Sequence, residues 1–372
     1  MSERKRVEIW PLSYESILKD LYNTPDNLKN CIDYYFKLSN DLIEKIQKII
    51  NQINIKRILF IGNTFNYFAS YIPIYLMMHH SSKLNYWWQN YELTDFYDYN
   101  LPQFQDQNTI YIFISKSGES KLIKRSIERL RMLNIDKNQI WLVTNNLEPS
   151  VKNYCGLLFP INTSDELILG TKSFINTIFV IWLIGMILIN ENPFNNEIYN
   201  KLINIIEEMR KFESQSIEIA NQIIEFFGID FKFIYFLSKG ASLSIAYQAS
   251  LAAKTFGHVY ANCLSFGLFY HGSFQIADEN FRSIFYIGDD FNGNNIEIIP
   301  RLIDITTKKL AKGRILLIGN NEEIIDKVKN NPNVYIIKFK CNIPFLSPII
   351  EYHVSTLIIL EFAVRRGLIM FK

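Results

Sequence analysis

TIYIFISKSGESKLIKRSIERLRML, residues Thr109 to Leu133, contains three successive patterns from which the fold of the whole chain can be predicted. Ile110 to Ile114 is a run of β-branched and aromatic residues, which is typical of a strand buried on both faces of a parallel sheet. A serine-rich turn follows at Ser115 to Ser120. Apolar residues then recur at helical spacing from Ile123 to Leu133, with basic residues on the other side. The stretch therefore predicts a strand, a hydroxyl-rich turn and an amphipathic helix.

The serine-rich turn has two interpretations. A helix N-terminus offers unpaired backbone N–H groups and a partial positive charge, and the hydroxyls of Ser115, Ser117 and Ser120 add donors that can reach a phosphate. Serine is also a common helix N-cap, so that Ser117 with Glu119 could merely start the helix. Phosphate is the ligand that suits such a turn, but the pattern alone leaves both interpretations open.

The rest of the chain repeats this alternation of strands and helices. Apolar runs predict strands at 56–62, 86–88, 109–115, 139–144, 157–161, 233–237, 283–288, 314–319 and 334–339. The pattern predicts an α/β fold with two tandem, doubly wound parallel sheets, which bind ligands at the carboxyl ends of their strands. The same rhythm in both halves suggests a duplicated domain.

We expect four parts along the chain. They are an N-terminal helical segment at 1–50, a first sheet domain with the serine-rich turn at 51–195, a connecting helix at 196–228 and a second sheet domain at 229–372.

Composition argues against several classes of protein. The 372 residues carry a formal net charge of +2, from 39 basic and 37 acidic residues, which gives no general attraction to nucleic acid or to an acidic membrane. Cys31, Cys155, Cys263 and Cys341 form no CxxC pair, which argues against a zinc site or a disulfide scaffold and favours a reducing cytoplasm. The apolar run at 178–189 is shorter than the roughly 20 residues of a membrane span and predicts a core helix.

Five motifs, in order along nearly the whole chain, resemble those of the sugar isomerase (SIS) domain family. SKSGES at 115–120 resembles its phosphosugar-binding turn, and Gly62-Asn63-Thr64 resembles its G-T-S turn. ELILGTKSF at 166–174 is similar to its E-x-x-x-x-T-K-x-F helix start. KDLYNTP at 19–25 resembles its E-I-x-E-Q-P helix end, and Tyr270-His271-Gly272 resembles its K-H-G-P element. The subgroup with these motifs contains the isomerase half of glucosamine-6-phosphate synthase and the ketosamine-6-phosphate deglycases.

This resemblance implies an SIS-type, flavodoxin-like fold and a phosphosugar site. The residues that it places around the phosphate of a hexose 6-phosphate are Gly62, Thr64, Ser115, Lys116, Ser117 and Ser120. The further substrate-binding positions that we assign are Glu166, Thr171, Lys172 and Thr255. Lys116 stands where glutamine is usual; its point charge suits a phosphate, although it could equally be a solvated surface lysine.

The sequence lacks some of the catalytic residues that the resemblance implies. Opening a sugar ring and moving a proton between C1 and C2 needs a ring-opening group and a base. His271 matches the family's ring-opening histidine, which such dimers take from the neighbouring subunit, although a lone histidine is often a packed or surface residue. The family's glutamate base is replaced by Thr255, and no Asp or Glu occurs between Asp230 and Asp278.

Few other residues could replace that base. Lys254 is adjacent, but an ordinary lysine, with a pKa near ~10.4, would need strong desolvation, so a helix-surface role is the alternative. Glu166 or its neighbour Asp165 is a reserve carboxylate, whereas Glu119 is expected to cap its helix. The family's C-terminal tail carries another active-site lysine, and we expect that group to be absent because the sequence reaches Lys372 without it.

Two functions follow from these residues. The first is an isomerase or ketosamine-6-phosphate deglycase that acts on a hexose 6-phosphate with His271. The second is a catalytically silent phosphosugar sensor or regulatory partner, which the replacement at Thr255 favours. Amidotransferase activity is not expected, since no glutaminase sequence precedes Met1.

The expected ligands and partners are limited. No GxGxxG follows a leading strand, which disfavours a dinucleotide, and we expect no cofactor. His79 and His80 would point in different directions on a helix, so we expect no metal site. We expect a cytoplasmic homodimer that binds a hexose 6-phosphate or amino-sugar phosphate, with neither nucleic acid nor membrane as partner.

Overall fold

The fold consists of two parallel sheets and the helices that cover them. A computed structural model describes residues 13–100, 107–167, 170–288, 297–309 and 312–369. Within these ranges the strands are β1 Arg57–Gly62, β2 Trp87–Glu92, β3 Thr109–Ile114, β4 Ile140–Thr144, β5 Leu157–Pro160, β6 Phe233–Ser238, β7 Tyr260–Ser265, β8 Arg282–Ile287, β9 Arg314–Gly319 and β10 Val334–Lys338. The helices are α1 Tyr14–Tyr22, α2 Thr24–Lys37, α3 Ser39–Ile53, α4 Thr64–Ala69, α5 Tyr71–His79, α6 Leu93–Asp95, α7 Lys121–Met132, α8 Lys172–Leu188, α9 Asn196–Phe227, α10 Leu243–Thr255, α11 Phe266–Tyr270, α12 Ile298–Asp304, α13 Glu322–Val328 and α14 Ser347–Arg365.

Both sheets have the same topology. The first has the order β2-β1-β3-β4-β5 and the second, read from its other edge, has the order β7-β6-β8-β9-β10. All neighbouring strands are parallel. Helices α1 to α3 precede the first sheet, while residues 1–12 of the predicted N-terminal segment lie outside the described residues. The predicted α/β fold with two tandem doubly wound sheets is therefore confirmed.

The apolar runs are buried because helices cover both faces of the sheets. Every residue of β3 is buried, as is nearly every residue of α8, which includes the apolar run at 178–189. The helix α14 is the one described helix that is long and apolar enough to cross a membrane, but 94% of its apolar window is buried inside the protein. This burial is typical of a core helix.

One strand has no counterpart among the predicted strands. β7 forms an edge of the second sheet and pairs only with β6 among the described strands. Tyr260 and Asn262 on this strand are exposed, so its sequence, YANCLS, contains no continuous apolar run. Edge strands are only half buried, so continuous apolar runs in the sequence do not indicate them.

The two sheet units pack against each other through their helices. α10 packs against α4, and the turn at 240–242 that precedes α10 packs against α5. Phe68 and Tyr247 stack across this interface with their ring centroids 5.2 Å apart. α9 joins the two units and packs along α14. The start of α10 is therefore held close to the first sheet.

Candidate functional site

The serine-rich turn between β3 and α7 holds three hydroxyl groups at the start of a helix. Each hydroxyl oxygen accepts a backbone N–H: Ser115 from Gly118 at 3.2 Å, Ser117 from Glu119 at 3.1 Å and Ser120 from Ile123 at 3.3 Å. Gly118 has a φ of +65°, which a residue without a Cβ adopts readily. Because the oxygens act as acceptors here, their protons can be donated to an anion.

A serine does cap the helix, but it is Ser120 and not the predicted Ser117. Ser120 is the N-cap of α7, and this role leaves its hydroxyl proton for a ligand. Glu119, which we expected to cap the helix, instead accepts a hydrogen bond from the backbone N–H of Ser150 at 2.6 Å and pairs with Lys124. Capping by Ser120 and anion binding by the turn are thus compatible.

A second turn lies directly beside the first. Gly62 ends β1 and is paired in register with Ile114 at the end of β3, so the residues that follow leave the same edge of the sheet. The strand order reverses between β1 and β3, which is the point where open α/β sheets bind ligands. A Cβ on Gly62 would lie only 2.8 Å from the backbone carbon of Asn66, so no larger residue fits in this turn.

Thr64 has a strained backbone in the second turn. Its φ of +49° lies in the left-handed region, which is a genuine outlier for a β-branched residue. Strain of this kind costs about 1–3 kcal/mol and clusters at ligand-binding sites. The side chain of Thr64 is exposed. The strain is therefore an observation, independent of any sequence motif, that favours a ligand-binding role for Thr64.

We expect Thr64→Gly to be more stable than Thr64→Ala by about 1 kcal/mol, because glycine relieves the backbone strain that alanine retains. Both variants lose the hydroxyl group and should weaken phosphosugar binding to the same extent. Urea unfolding measures the stability difference, and calorimetric titration with fructose 6-phosphate measures binding. An alanine variant that is at least as stable as the glycine variant would contradict the assignment of strain.

Lys116 forms an ion pair that connects the serine-rich turn to the start of α8. Its Nζ lies 2.8 Å from Oε1 of Glu166. The Glu166 side chain is fully buried, whereas 29% of the Lys116 side chain is exposed. The ammonium group therefore has a fixed internal partner and still presents part of its surface at the turn.

Glu166 is surrounded by hydrogen-bond donors. Besides Lys116, they are the backbone N–H of Gly170 at 3.3 Å, the hydroxyl of Thr171 at 3.3 Å, and the backbone N–H and hydroxyl of Ser173 at 2.9 and 2.6 Å. Burial acts to raise the pKa of Glu166, but the bonds from Lys116 and Ser173 outweigh it and hold the pKa below its ordinary value. A carboxylate with so many donors is a weak base, so the reserve carboxylate has a structural role here.

Lys172 is buried and bonded within the protein. Its Nζ lies 2.6 Å from Oδ1 of Asp20 and 2.6 Å from the carbonyl oxygen of Asp165. Asp20 also accepts the backbone N–H of Leu167 at 3.0 Å. The motif at 19–25 thus contacts the motif at 166–174, of which residues 168 and 169 lie outside the described residues. The structure gives Lys172 an anchoring contact between α1 and α8 in place of an open position at the turn.

Gly170 is the point where the two sheet units meet beside these turns. A Cβ on Gly170 would lie 2.9 Å from Nε2 of Gln248 on α10 and 3.3 Å from the ring of Phe65, the residue after Thr64. The hydroxyl of Tyr352 on α14 donates to the Gly170 carbonyl at 2.6 Å. Gln248 and Tyr352 have no signal in the sequence, because each is one of several polar residues on its helix and belongs to no recognisable motif.

The predicted catalytic residues His271 and Lys254, and the predicted substrate-binding residue Thr255, are all exposed. Thr255 ends α10, is exposed and donates its hydroxyl to the Leu251 carbonyl at 3.0 Å. Lys254 is exposed beside it. His271 follows α11, is exposed and has its ring 5.9 Å from that of Tyr270. Within the described part of the chain, no hydrogen bond or ion pair joins Thr255, Lys254 or His271 to residues 115–120.

The described His, Cys, Asp and Glu side chains form neither a metal site nor a disulfide. In the ranges it describes, no group of three or more His, Cys, Asp or Glu side chains is arranged to hold a metal ion. All four cysteines are buried and free. That the protein binds no metal ion stays a prediction.

The sequence is distantly similar to known aminotransferases. It is 19% identical over 272 residues to the glutamine–fructose-6-phosphate aminotransferase (isomerizing) of Bartonella henselae, a match that covers 70% of this chain and 42% of the relative. It is 22% identical over 361 residues to the enzyme of the same name from Methanocaldococcus jannaschii, which covers 91% of this chain and 30% of the relative. The chain therefore spans less than half the length of these relatives. No protein-family model matches it.

Solved structures share the fold along the whole chain. The C-terminal domain of glucosamine-fructose-6-phosphate aminotransferase from Francisella tularensis aligns with a TM-score of 0.78 at 16% identity and covers 98% of both chains. Tagatose-6-phosphate ketose/aldose isomerase from Escherichia coli aligns with a TM-score of 0.73 at 13% identity and covers 97% of this chain and 96% of its own. The predicted resemblance to SIS proteins is confirmed.

Proposed function

We propose that this SIS-type chain binds a hexose 6-phosphate or an amino-sugar phosphate through the turn at 115–120. The observation that carries the proposal is the geometry of the three serine hydroxyls, which surround the start of α7 at the switch point of the first sheet. A helix N-terminus and hydroxyl donors together suit a phosphate group. The exposed part of Lys116 adds a positive charge at the same turn.

Binding without turnover is the function that the described geometry supports best. Two carboxylates lie in or beside the turn, and each already has hydrogen-bond or ion-pair partners. Glu119 contacts Ser150 and Lys124. Glu166 contacts Lys116 and Ser173. Thr255, at the position of the family's base, has no group that can take a proton from carbon at neutral pH. This arrangement supports a phosphosugar sensor or a regulatory partner.

The second candidate is an aldose–ketose isomerase or a ketosamine-6-phosphate deglycase. The observation that favours it is the exposure of His271, which leaves this side chain available to a neighbouring subunit. The similarity to aminotransferases named as isomerizing supports the same reaction class. This candidate requires a homodimer in which His271 of one subunit reaches the site of the other. We further propose a cytoplasmic protein with neither cofactor, nucleic acid nor membrane as partner.

Thermal unfolding with and without sugar phosphates tests the binding proposal. We expect fructose 6-phosphate, glucosamine 6-phosphate or a fructosamine 6-phosphate to raise the melting temperature, and the unphosphorylated sugars to leave it unchanged. Ser117→Ala should reduce the shift, because it removes one hydroxyl donor of the turn. The side chain of Ser117 is exposed, so the substitution should leave the fold intact. If none of these phosphates stabilises the protein, the assignment of the phosphate turn is wrong.

A turnover assay with each sugar phosphate that binds distinguishes the sensor from the isomerase or deglycase. The sensor interpretation predicts no isomerisation and no release of amine. Measurable turnover that falls in His271→Ala, together with a dimer in light scattering, would instead establish the isomerase or deglycase. Turnover that His271→Ala leaves unchanged would remove this histidine from the mechanism.

A further inference from the structure

A cavity of about 460 Å³ lies at the amino ends of β6 and β7. We call it the amino-edge cavity, and its lining includes Asp230, Phe231, Lys232, Tyr260, Arg365 and Arg366. Ligands of open α/β sheets normally bind at the opposite, carboxyl ends of the strands. The volume is within the range of sites for small molecules. The cavity is therefore separate from the phosphate turn of the first sheet.

Three cations line this cavity without a carboxylate in ion-pair contact. Arg366 donates to the carbonyl oxygens of Ile229 at 2.8 Å, Phe231 at 2.7 Å and Gly257 at 3.2 Å. Arg365 donates to the amide oxygen of Asn221 at 2.7 Å. Neither arginine, nor Lys232, has a carboxylate oxygen within 4 Å among the residues that the structure describes.

The lining of the cavity therefore has a net positive charge. Asp230 is the one carboxylate in the lining, against three cations. Burial lowers the pKa of Arg366, and the attraction of Asp230 only partly opposes this effect. Lys327, by contrast, contacts two carboxylates, Glu297 and Glu323. Lys232 and Arg365 are exposed, so both can contact an anion that enters from solvent.

An aromatic surface lies beside these charges. Tyr260 is the first residue of β7 and 77% of it is exposed. Phe233 is paired with it in register on β6 and is 41% exposed. Exposed rings of this kind stack on planar groups, and a base–aromatic contact is worth about 1–3 kcal/mol. The ring of Phe231 is already covered by the guanidinium of Arg366 at 4.6 Å, so Tyr260 is the ring open to a ligand.

We propose that the amino-edge cavity binds a mononucleotide-sized anion, with its phosphate at Lys232 and Arg365 and its base against Tyr260. Arg366 fixes the two loops that form the walls, because its guanidinium joins the carbonyls at 229, 231 and 257. This site goes beyond the proposed phosphosugar function and does not depend on it.

Calorimetric titration of the Ser117→Ala variant tests this proposal, since that variant weakens the proposed phosphosugar site and leaves the amino-edge cavity unchanged. The probes are adenosine monophosphate, adenosine and ribose 5-phosphate. We expect the nucleotide to bind at least about tenfold more tightly than either fragment, because each fragment lacks a charged or a stacking contact. Absence of nucleotide binding, or equal binding of all three probes, would overturn the proposal.

Variants at the cavity identify the contacts. Lys232→Gln combined with Arg365→Gln should raise the nucleotide Kd about tenfold or more, and so should Tyr260→Ala. Tyr260→Ala should leave the Kd for ribose 5-phosphate unchanged. Lys48→Gln, an exposed lysine on α3, is the matched control and should have no effect. An unchanged nucleotide Kd in the cavity variants, or binding in the wild type that Ser117→Ala abolishes, would place the nucleotide elsewhere and overturn the site.

Discussion

Replacement of Glu166 by alanine should lower the free energy of unfolding by about 3–5 kcal/mol, which is the usual cost of removing one partner from a buried ion pair. The Glu166 side chain is fully buried and accepts hydrogen bonds from Lys116, Gly170, Thr171 and Ser173. Without the carboxylate these donors lose their acceptor, and each unsatisfied buried donor adds to the loss. Urea unfolding of the wild type and the variant measures the difference.

Two further variants test whether the loss of stability is specific to Glu166 or follows from any substitution in or beside the turn. Glu119→Ala removes an exposed carboxylate from the same turn and should change stability little. Lys116→Gln keeps a hydrogen-bond donor opposite Glu166 and should be less destabilising than Glu166→Ala. If Glu166→Ala unfolds at the same urea concentration as the wild type, Glu166 does not hold the turn to α8.

The same contacts make the stabilisation by Glu166 depend on pH. Because the pKa of Glu166 is lower in the folded state than in the unfolded chain, its stabilisation is fully present above the unfolded pKa of about 4.3. This stabilisation is lost as the pH falls through the folded pKa. The stability difference between wild type and Glu166→Gln should therefore be constant near neutral pH and decrease below about pH 4.

Replacement of Lys172 by methionine should destabilise the protein by about 3 kcal/mol, because it leaves Asp20 without its cation. The Lys172 side chain is 2% exposed and that of Asp20 is 11% exposed, so water compensates the lost ion pair only weakly. Asp20→Asn should have a similar effect, since it leaves the buried ammonium with the Asp165 carbonyl alone. Thermal or urea unfolding provides the measurement.

An exposed ion pair serves as the control for Lys172. Lys201 pairs with Glu197 within α9 at 2.6 Å, and 35% of the Lys201 side chain and 77% of the Glu197 side chain are exposed. Lys201→Met should change stability little, because exposed pairs are screened by water and salt. Equal, small effects of Lys172→Met and Lys201→Met would mean that the contact between α1 and α8 is not needed for stability.

The sequence was sufficient to predict the fold where strands are fully buried. β1 and β3 each consist almost entirely of buried apolar residues, and such runs have few alternatives in an α/β protein. β7 lacks this signal because it lies at a sheet edge with Tyr260 and Asn262 exposed. Residues 1–12 of the predicted N-terminal segment and the end of the second sheet domain at 370–372 lie outside the described residues.

The candidate site could be predicted only in part. A hydroxyl-rich turn after a buried strand is a local pattern, so the position of Ser115 to Ser120 follows from sequence. The pair of Lys116 with Glu166 joins residues fifty positions apart, and no local pattern indicates it. The burial of Lys172 also depends on a distant residue, Asp20, and the resemblance to a family could not reveal it.

Calorimetric titration with fructose 6-phosphate tests whether the turn at 115–120 holds the phosphate of a sugar phosphate. We expect saturable binding of fructose 6-phosphate by the wild type, no binding of fructose, and at least about tenfold weaker binding by Ser117→Ala. Binding of fructose and fructose 6-phosphate with equal affinity, or an unchanged affinity in Ser117→Ala, would contradict it.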